Sequence, residues 1–182
     1  MGVRNYLIEG GSGVGKTTVA EELQRRGCHV IHGDRELALR GDPKTGEPVD
    51  GPSWETREDA AWWHQHHIWD VGTVKSLVAD QRHAKTFFCG GARNFHQFID
   101  LFDEVFVLEI DLDTLNRRLD QRVASNPDEW GGRPDERELI ARLHATKEDI
   151  PKNAMSIDAT ATIAGVVDEI LSKCAESEKG AD

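Results

Sequence analysis

Residues 10–17 read GGSGVGKT, with Gly10, Gly15, Lys16 and Thr17 on the spacing G-x-x-x-x-G-K-[ST] of a phosphate-binding loop. An apolar run, Tyr6-Leu7-Ile8, leads into it, and a helical pattern over 18–26 leads out. Strand, glycine loop and helix is the context in which backbone N–H groups converge on a phosphate at a helix N-terminus. Glycines let the chain wrap an anion without Cβ clashes. Lys16 brings a mobile positive charge, and Thr17 offers a hydroxyl to Mg²⁺. The stretch predicts a nucleoside triphosphate site built from Gly11, Ser12, Gly13, Val14, Gly15, Lys16, Thr17 and Thr18.

The 182 residues fit one domain with a core large enough to need no disulfide or structural metal. A net charge of −11 argues against a nucleic-acid partner, because binding to phosphate backbones draws on surplus Lys and Arg. Cys28, Cys89 and Cys174 are far apart and odd in number, which reads as reduced thiols in the cytoplasm. No apolar run approaches a membrane span, and the N-terminus runs straight into the first strand, so neither a membrane partner nor a secretory signal is expected.

Apolar runs alternate with helical patterns along most of the chain. That alternation predicts an α/β fold, a parallel sheet with helices on both faces. Strands are expected at 4–8, 28–32, 85–89, 104–110 and 154–157, and helices at 112–122, 135–148 and 163–174. Thr56-x-x-Asp59 resembles a capping box opening one long helix to about residue 82, and a short helix is expected at 94–102. Gly41, Gly46, Gly51 and the Asp42-Pro43 pair mark residues 41–53 as a loop, and VASNPDEWGGRP (123–134) forms a second polar break. A single domain over 1–176 with a frayed tail at 177–182 is expected.

In such sheets ligands bind at the carboxyl ends of the strands, so the residues just after each strand carry the functional reading. Asp34 follows strand two. It is placed to hold Mg²⁺ through water, to take the proton of an attacking hydroxyl, or merely to cap the next helix. Arg35 and Arg40 follow at helical spacing, facing an anionic substrate or solvent. Gly90-Gly91 after strand three lets a substrate approach the backbone, with Arg93 in reach of an anion. After strand four, Arg118 and Arg122 share a helix face, and Arg133 sits in the polar break. Arginines on a lid there would stabilise charge in phosphoryl transfer and expel water.

Trp54, Trp62, Trp63 and Trp69 crowd the segment after strand two, with His64, His66 and His67 among them. Helical geometry pairs Trp62 with His66 and Trp63 with His67. Such faces either pack on the sheet or, as at Trp63, stack on a base or sugar ring. The histidine spacing does not suit zinc. Trp130 in the polar break is placed to shield a site from water.

GGSGVGKTT, the Gly-Asp after strand two, the Gly-Gly after strand three, the R-x-x-x-R helix and the IDAT turn together resemble small P-loop kinases over about residues 6–171. That superfamily includes shikimate, gluconate, adenylylsulfate and nucleoside monophosphate kinases. The resemblance implies a three-layer fold with a five-stranded parallel sheet in order 2-3-1-4-5. It also implies a substrate-binding segment at about 35–83 and a mobile lid at about 118–135. By the same resemblance, ATP and Mg²⁺ are the cofactors and Lys16 bridges the β- and γ-phosphates. Thr17 ligates Mg²⁺, Asp34 serves on the substrate side, and Gly90 and Gly91 contact substrate. Arg118, Arg122 and Arg133 match lid arginines, and Asp158, Ala159 and Thr160 match an adenine loop. The chain departs from shikimate-type kinases at His32, where they carry the first Asp of Asp-x-Asp, and it has no Asp-Gly-x-Pro-Arg segment of adenylate kinases. The implied activity is transfer of the γ-phosphoryl of ATP to a hydroxyl of a small molecule. Alternatives are a nucleotide-dependent ATPase or switch with a protein partner, a nucleoside monophosphate kinase, and a polynucleotide-end kinase. The acceptor and the oligomeric state are not readable from the residues.

Overall fold

A computed structural model describes residues 3–56 and 58–179. Strand β1 (Arg4–Glu9) is buried along almost its whole length, and its period-two alternation feeds two layers. Tyr6 and Ile8 join one core with Phe87, Phe106, Val19, Leu23, Leu115 and Ile170, while Leu7 joins the other with Phe88, Val74, Phe98 and Val105. Helices α1 (Lys16–Arg25), α5 (Leu112–Ser125) and α7 (Ile163–Lys179) supply the first layer. Helix α4 (Val71–Val78) and two 3-10 turns at Phe95–Gln97 and Ile99–Leu101 supply the second. The fold is therefore the expected three-layer α/β arrangement.

The main sheet adds β2 (His29–His32), β5 (Lys85–Cys89), β6 (Glu104–Glu109) and β7 (Met155–Asp158), all parallel, in the order β2-β5-β1-β6-β7. In detail this label order differs from 2-3-1-4-5. Two strands absent from the sequence reading, β3 (Ala38–Arg40) and β4 (His67–Trp69), intervene in the chain and pair with each other as a separate antiparallel sheet.

That hairpin corrects the expectation of one long helix to residue 82. A short helix, α3 (Ala60–Gln65), opens on Asp59, whose Oδ1 accepts from Trp62 N at 3.0 Å; the chain then turns extended. Asp59, rather than Thr56, is the cap. The hairpin buries Ile68 and Trp69 completely. Burying a tryptophan is worth about 4 kcal/mol, whereas helix propensities differ by only about 0.5 kcal/mol per residue. Burial wins, and Asp70 restarts a helix by accepting from Thr73 N at 2.7 Å.

Other corrections are smaller. Helix α2 (Gly33–Glu36) is one turn long and Arg40 lies in β3, so Arg35 and Arg40 do not share a helix. The short helix at 94–102 is the pair of 3-10 turns. Helix α7 continues past residue 174 to Lys179, so 177–179 are helical, and the rest of the expected frayed tail lies outside the described residues. No described helix is long and apolar enough to cross a membrane.

Candidate active site

The sheet register sets the site. Ile8 pairs with Cys89, and Cys89 with His32. The residues that leave those strands, Glu9-Gly10, Gly90-Gly91 and Gly33-Asp34, therefore emerge side by side. Of these, Gly10, Asp34 and Gly91 line a cavity of about 1230 Å³.

The phosphate loop forms one wall. Gly13 has φ +85°, and a Cβ there would lie 2.8 Å from Leu115 Cδ1, so only glycine lets the loop seat against α5. Gly15 caps α1 in a left-handed conformation with no side-chain acceptor, which leaves the helix's first N–H groups for an anion. Lys16 Nζ arches back to donate to Gly10 O at 2.6 Å and Gly11 O at 2.9 Å. Thr17 and Thr18 are exposed on the cavity rim. The Thr17 hydroxyl has no hydrogen-bond partner among the described residues, a donor set that fits Mg²⁺.

Helix α5 brings two arginines onto this loop. Arg118 donates to Val14 O and to Ala159 O, each at 2.7 Å, and so ties the phosphate loop to the turn after β7. Arg122 Nη1 reaches Ser12 Oγ at 3.4 Å and Trp130 O at 3.3 Å. Burial lowers its guanidinium pKa from the ordinary value. Of the three residues matched to the adenine loop, Ala159 lines the cavity, followed in the same turn by Ala161; Asp158 accepts from Thr160 N and Oγ1 and the two close on each other. Arg133 lies outside the cavity, precedes α6 (Pro134–Thr146) and donates to Glu55 O at 3.0 Å.

Opposite the loop stands Asp34. Its Oδ1 lies 3.2 Å from His67 Nε2 and accepts from Gly91 N at 3.2 Å. Burial pushes this carboxyl up, but the His67 hydrogen bond and the charge of Lys16 outweigh it, and the pKa falls below the ordinary value. Asp34 is not the helix cap, since α2 begins before it. Gly90 does not line the cavity but makes room for the carboxylate: a Cβ there would stand 2.7 Å from Asp34 Oδ1 and from the Trp69 ring. Trp63 lines the cavity beneath Arg40, whose Cζ sits 3.5 Å from the ring centroid. Trp62 stacks on His66 as the spacing suggested, but His67 leaves for β4 and Trp63 takes Arg40 and Trp54 as neighbours. Arg35 lines the same side and is exposed.

Arg93 lines the cavity on the side of Asp34, but its guanidinium already has protein partners. It is 12% exposed and committed: Nη1 contacts the Asp149 carbonyl and lies 3.3 Å from Asp149 Oδ2, while Nη2 lies 4.0 Å from Glu9 Oε1. Glu9, at 1% exposure, accepts from Gly10 N and Ala92 N. Its carboxyl is pushed up by burial, against the charges of Arg93 and Lys16. Asp149 in turn meets His64 at 3.4 Å. A guanidinium held between a buried and a half-buried carboxylate is a group of the fold first. Arg93→Ala is expected to cost about 3 kcal/mol in urea unfolding, because it strands buried charge. A loss below about 0.5 kcal/mol, typical of surface substitutions, would return Arg93 to the acceptor. Sequence reading missed Glu9 and Asp149, and it placed His64 and His67 in the substrate segment without their carboxylate partners. Glu9 alone carried a signal, an acid ending a strand buried on both faces.

The chain matches the AAA domain family over residues 7–141 and belongs to that family. No curated protein sequence matches it. Among solved structures, its fold is similar to shikimate kinase from Acinetobacter baumannii in complex with shikimate, with TM-score 0.62 and 18% identity over 96% of this chain and 94% of that one. It is also similar to a gluconokinase from Sinorhizobium meliloti 1021, with TM-score 0.58 and 16% identity over 98% and 95%. Shikimate kinase from Bacteroides thetaiotaomicron gives TM-score 0.58 and 15% identity over 94% and 98%. These likenesses establish the fold of a small P-loop kinase.

Proposed function

We propose that the protein is an ATP-dependent kinase that phosphorylates a hydroxyl of a small molecule in the cytoplasm. One observation carries this reading: Asp34, with Oδ2 free of any protein partner among the described residues, shares a single cavity with the phosphate loop and Lys16. A nucleotide switch needs a phosphate site but no carboxylate and aromatic wall facing it.

The acceptor oxygen attacks the γ-phosphorus in line, the bond from that phosphorus to the β,γ-bridging oxygen breaks, and ADP leaves. The hydroxyl proton passes to Asp34 Oδ2. Lys16 swings from the carbonyls of Gly10 and Gly11 to the β- and γ-phosphates, and the N–H groups of residues 11–18 hold the remaining oxygens. Mg²⁺, held by Thr17 and, through water, by Asp34, would neutralise charge on the phosphates. Arg122, beside Ser12, acts on the transferring group, while Arg118 braces the loop against Ala159, along which the adenine lies. The segment around residues 118–135 serves as the lid.

The reading is tested by ADP formation with Mg·ATP across sugars, sugar acids, shikimate-like acids, nucleosides and nucleotides. One class should raise turnover at least about tenfold above basal hydrolysis, since a positioned acceptor outcompetes water. Uniform rates across all classes would favour the switch.

A further inference from the structure

The β3–β4 hairpin is the element the sequence did not announce, and it delivers His67 to the cavity. His67 is held from two sides. Its backbone oxygen accepts from Arg93 N at 2.9 Å, and its ring Nε2 lies 3.2 Å from Asp34 Oδ1. An ionised carboxylate only accepts, so Nε2 carries the proton in this contact. Gly91 N donates to the same oxygen at 3.2 Å. Two donors from separate elements thus pin Oδ1, and Oδ2 is left without a partner among the described residues.

We infer that His67 is a positioning residue for phosphoryl transfer, fixing the Asp34 carboxylate so that Oδ2 is presented to the attacking oxygen. The inference rests on the kinase reading for the identity of the acceptor, though water serves as attacking oxygen in its place. Asp34 is half exposed and sits on a single helical turn, so its own backbone holds its side chain weakly. Without the imidazole, the Gly91 N–H is the one hydrogen bond left on this carboxylate among the described residues. A carboxylate misplaced by 1 Å costs up to about a hundredfold in a positioned reaction. The orienting partner of a catalytic group acts through geometry in this way without touching substrate.

The test uses the full chain with Mg·ATP and water as acceptor, following phosphate release. His67→Ala is expected to lower kcat about tenfold while KM for ATP stays within about twofold, and His67→Gln, whose amide N–H replaces the donor, to recover to within about threefold of wild type. Long-range proton–nitrogen NMR should show His67 in the Nε2–H tautomer, with that preference lost in Asp34→Ala. Wild-type kcat in His67→Ala overturns the inference. So does a loss that His67→Gln fails to rescue and that raises KM for ATP in parallel, which marks a structural role. The kinase reading fails separately, if no acceptor yields a phosphate ester; the hydrolysis and NMR measurements decide His67 in either case.

Discussion

Lys16→Ala is expected to lower acceptor-dependent ATP turnover about a thousandfold, the scale of losing a preorganised positive group at the transferring phosphoryl. Nothing else in the loop can replace it. Gly11, Ser12, Gly13, Val14 and Gly15 offer only backbone N–H groups and one hydroxyl, and Arg118 is spent on Val14 O and Ala159 O. The fold should survive, because the lysine's present partners, the carbonyls of Gly10 and Gly11, lie on the cavity wall, where water can replace it. Calorimetry should therefore show a melting temperature close to wild type alongside the lost turnover. A variant that melts early and retains turnover per folded molecule would remove Lys16 from the chemistry.

Asp34→Ala is the second large effect. Removing a positioned general base costs about 10²- to 10⁴-fold, and here it also removes the group that His67 and Gly91 hold. Acceptor-stimulated ADP formation should fall by at least about a hundredfold, with ATP affinity falling far less, because the phosphate loop supplies the direct contacts and Asp34 would reach Mg²⁺ only through water. Stability should change little or rise, since a carboxylate facing the cavity is retained for function rather than for folding. A loss of ATP affinity equal to the loss of turnover would instead make Asp34 a group of the nucleotide site.

Much of the fold was legible. The phosphate loop fixes the end of β1 and the start of α1, and the apolar alternation at Tyr6-Leu7-Ile8 and Phe87-Phe88 splits cleanly between two helical layers. The hairpin was not legible. From Trp62 to Trp69 the aromatic and imidazole residues recur at spacings that suit a helix as well as a strand, and the choice is made by where Trp69 is buried, against Phe98 and Gly33. The phosphate wall of the site was legible because its residues are contiguous. The acceptor wall is assembled from separate segments of the chain, and no local pattern shows that Arg93 meets Glu9 and Asp149 or that His67 meets Asp34. An arginine after a strand reads the same whether it awaits an anion or already has one.

The central claim is that the γ-phosphoryl passes to an organic hydroxyl. Phosphorus-31 NMR of a reaction with Mg·ATP and the acceptor that most stimulates turnover tests it most directly. The account predicts a phosphate-ester resonance growing in step with ADP and absent with Lys16→Ala. Inorganic phosphate as the sole product under every acceptor would contradict it and make the protein an ATPase.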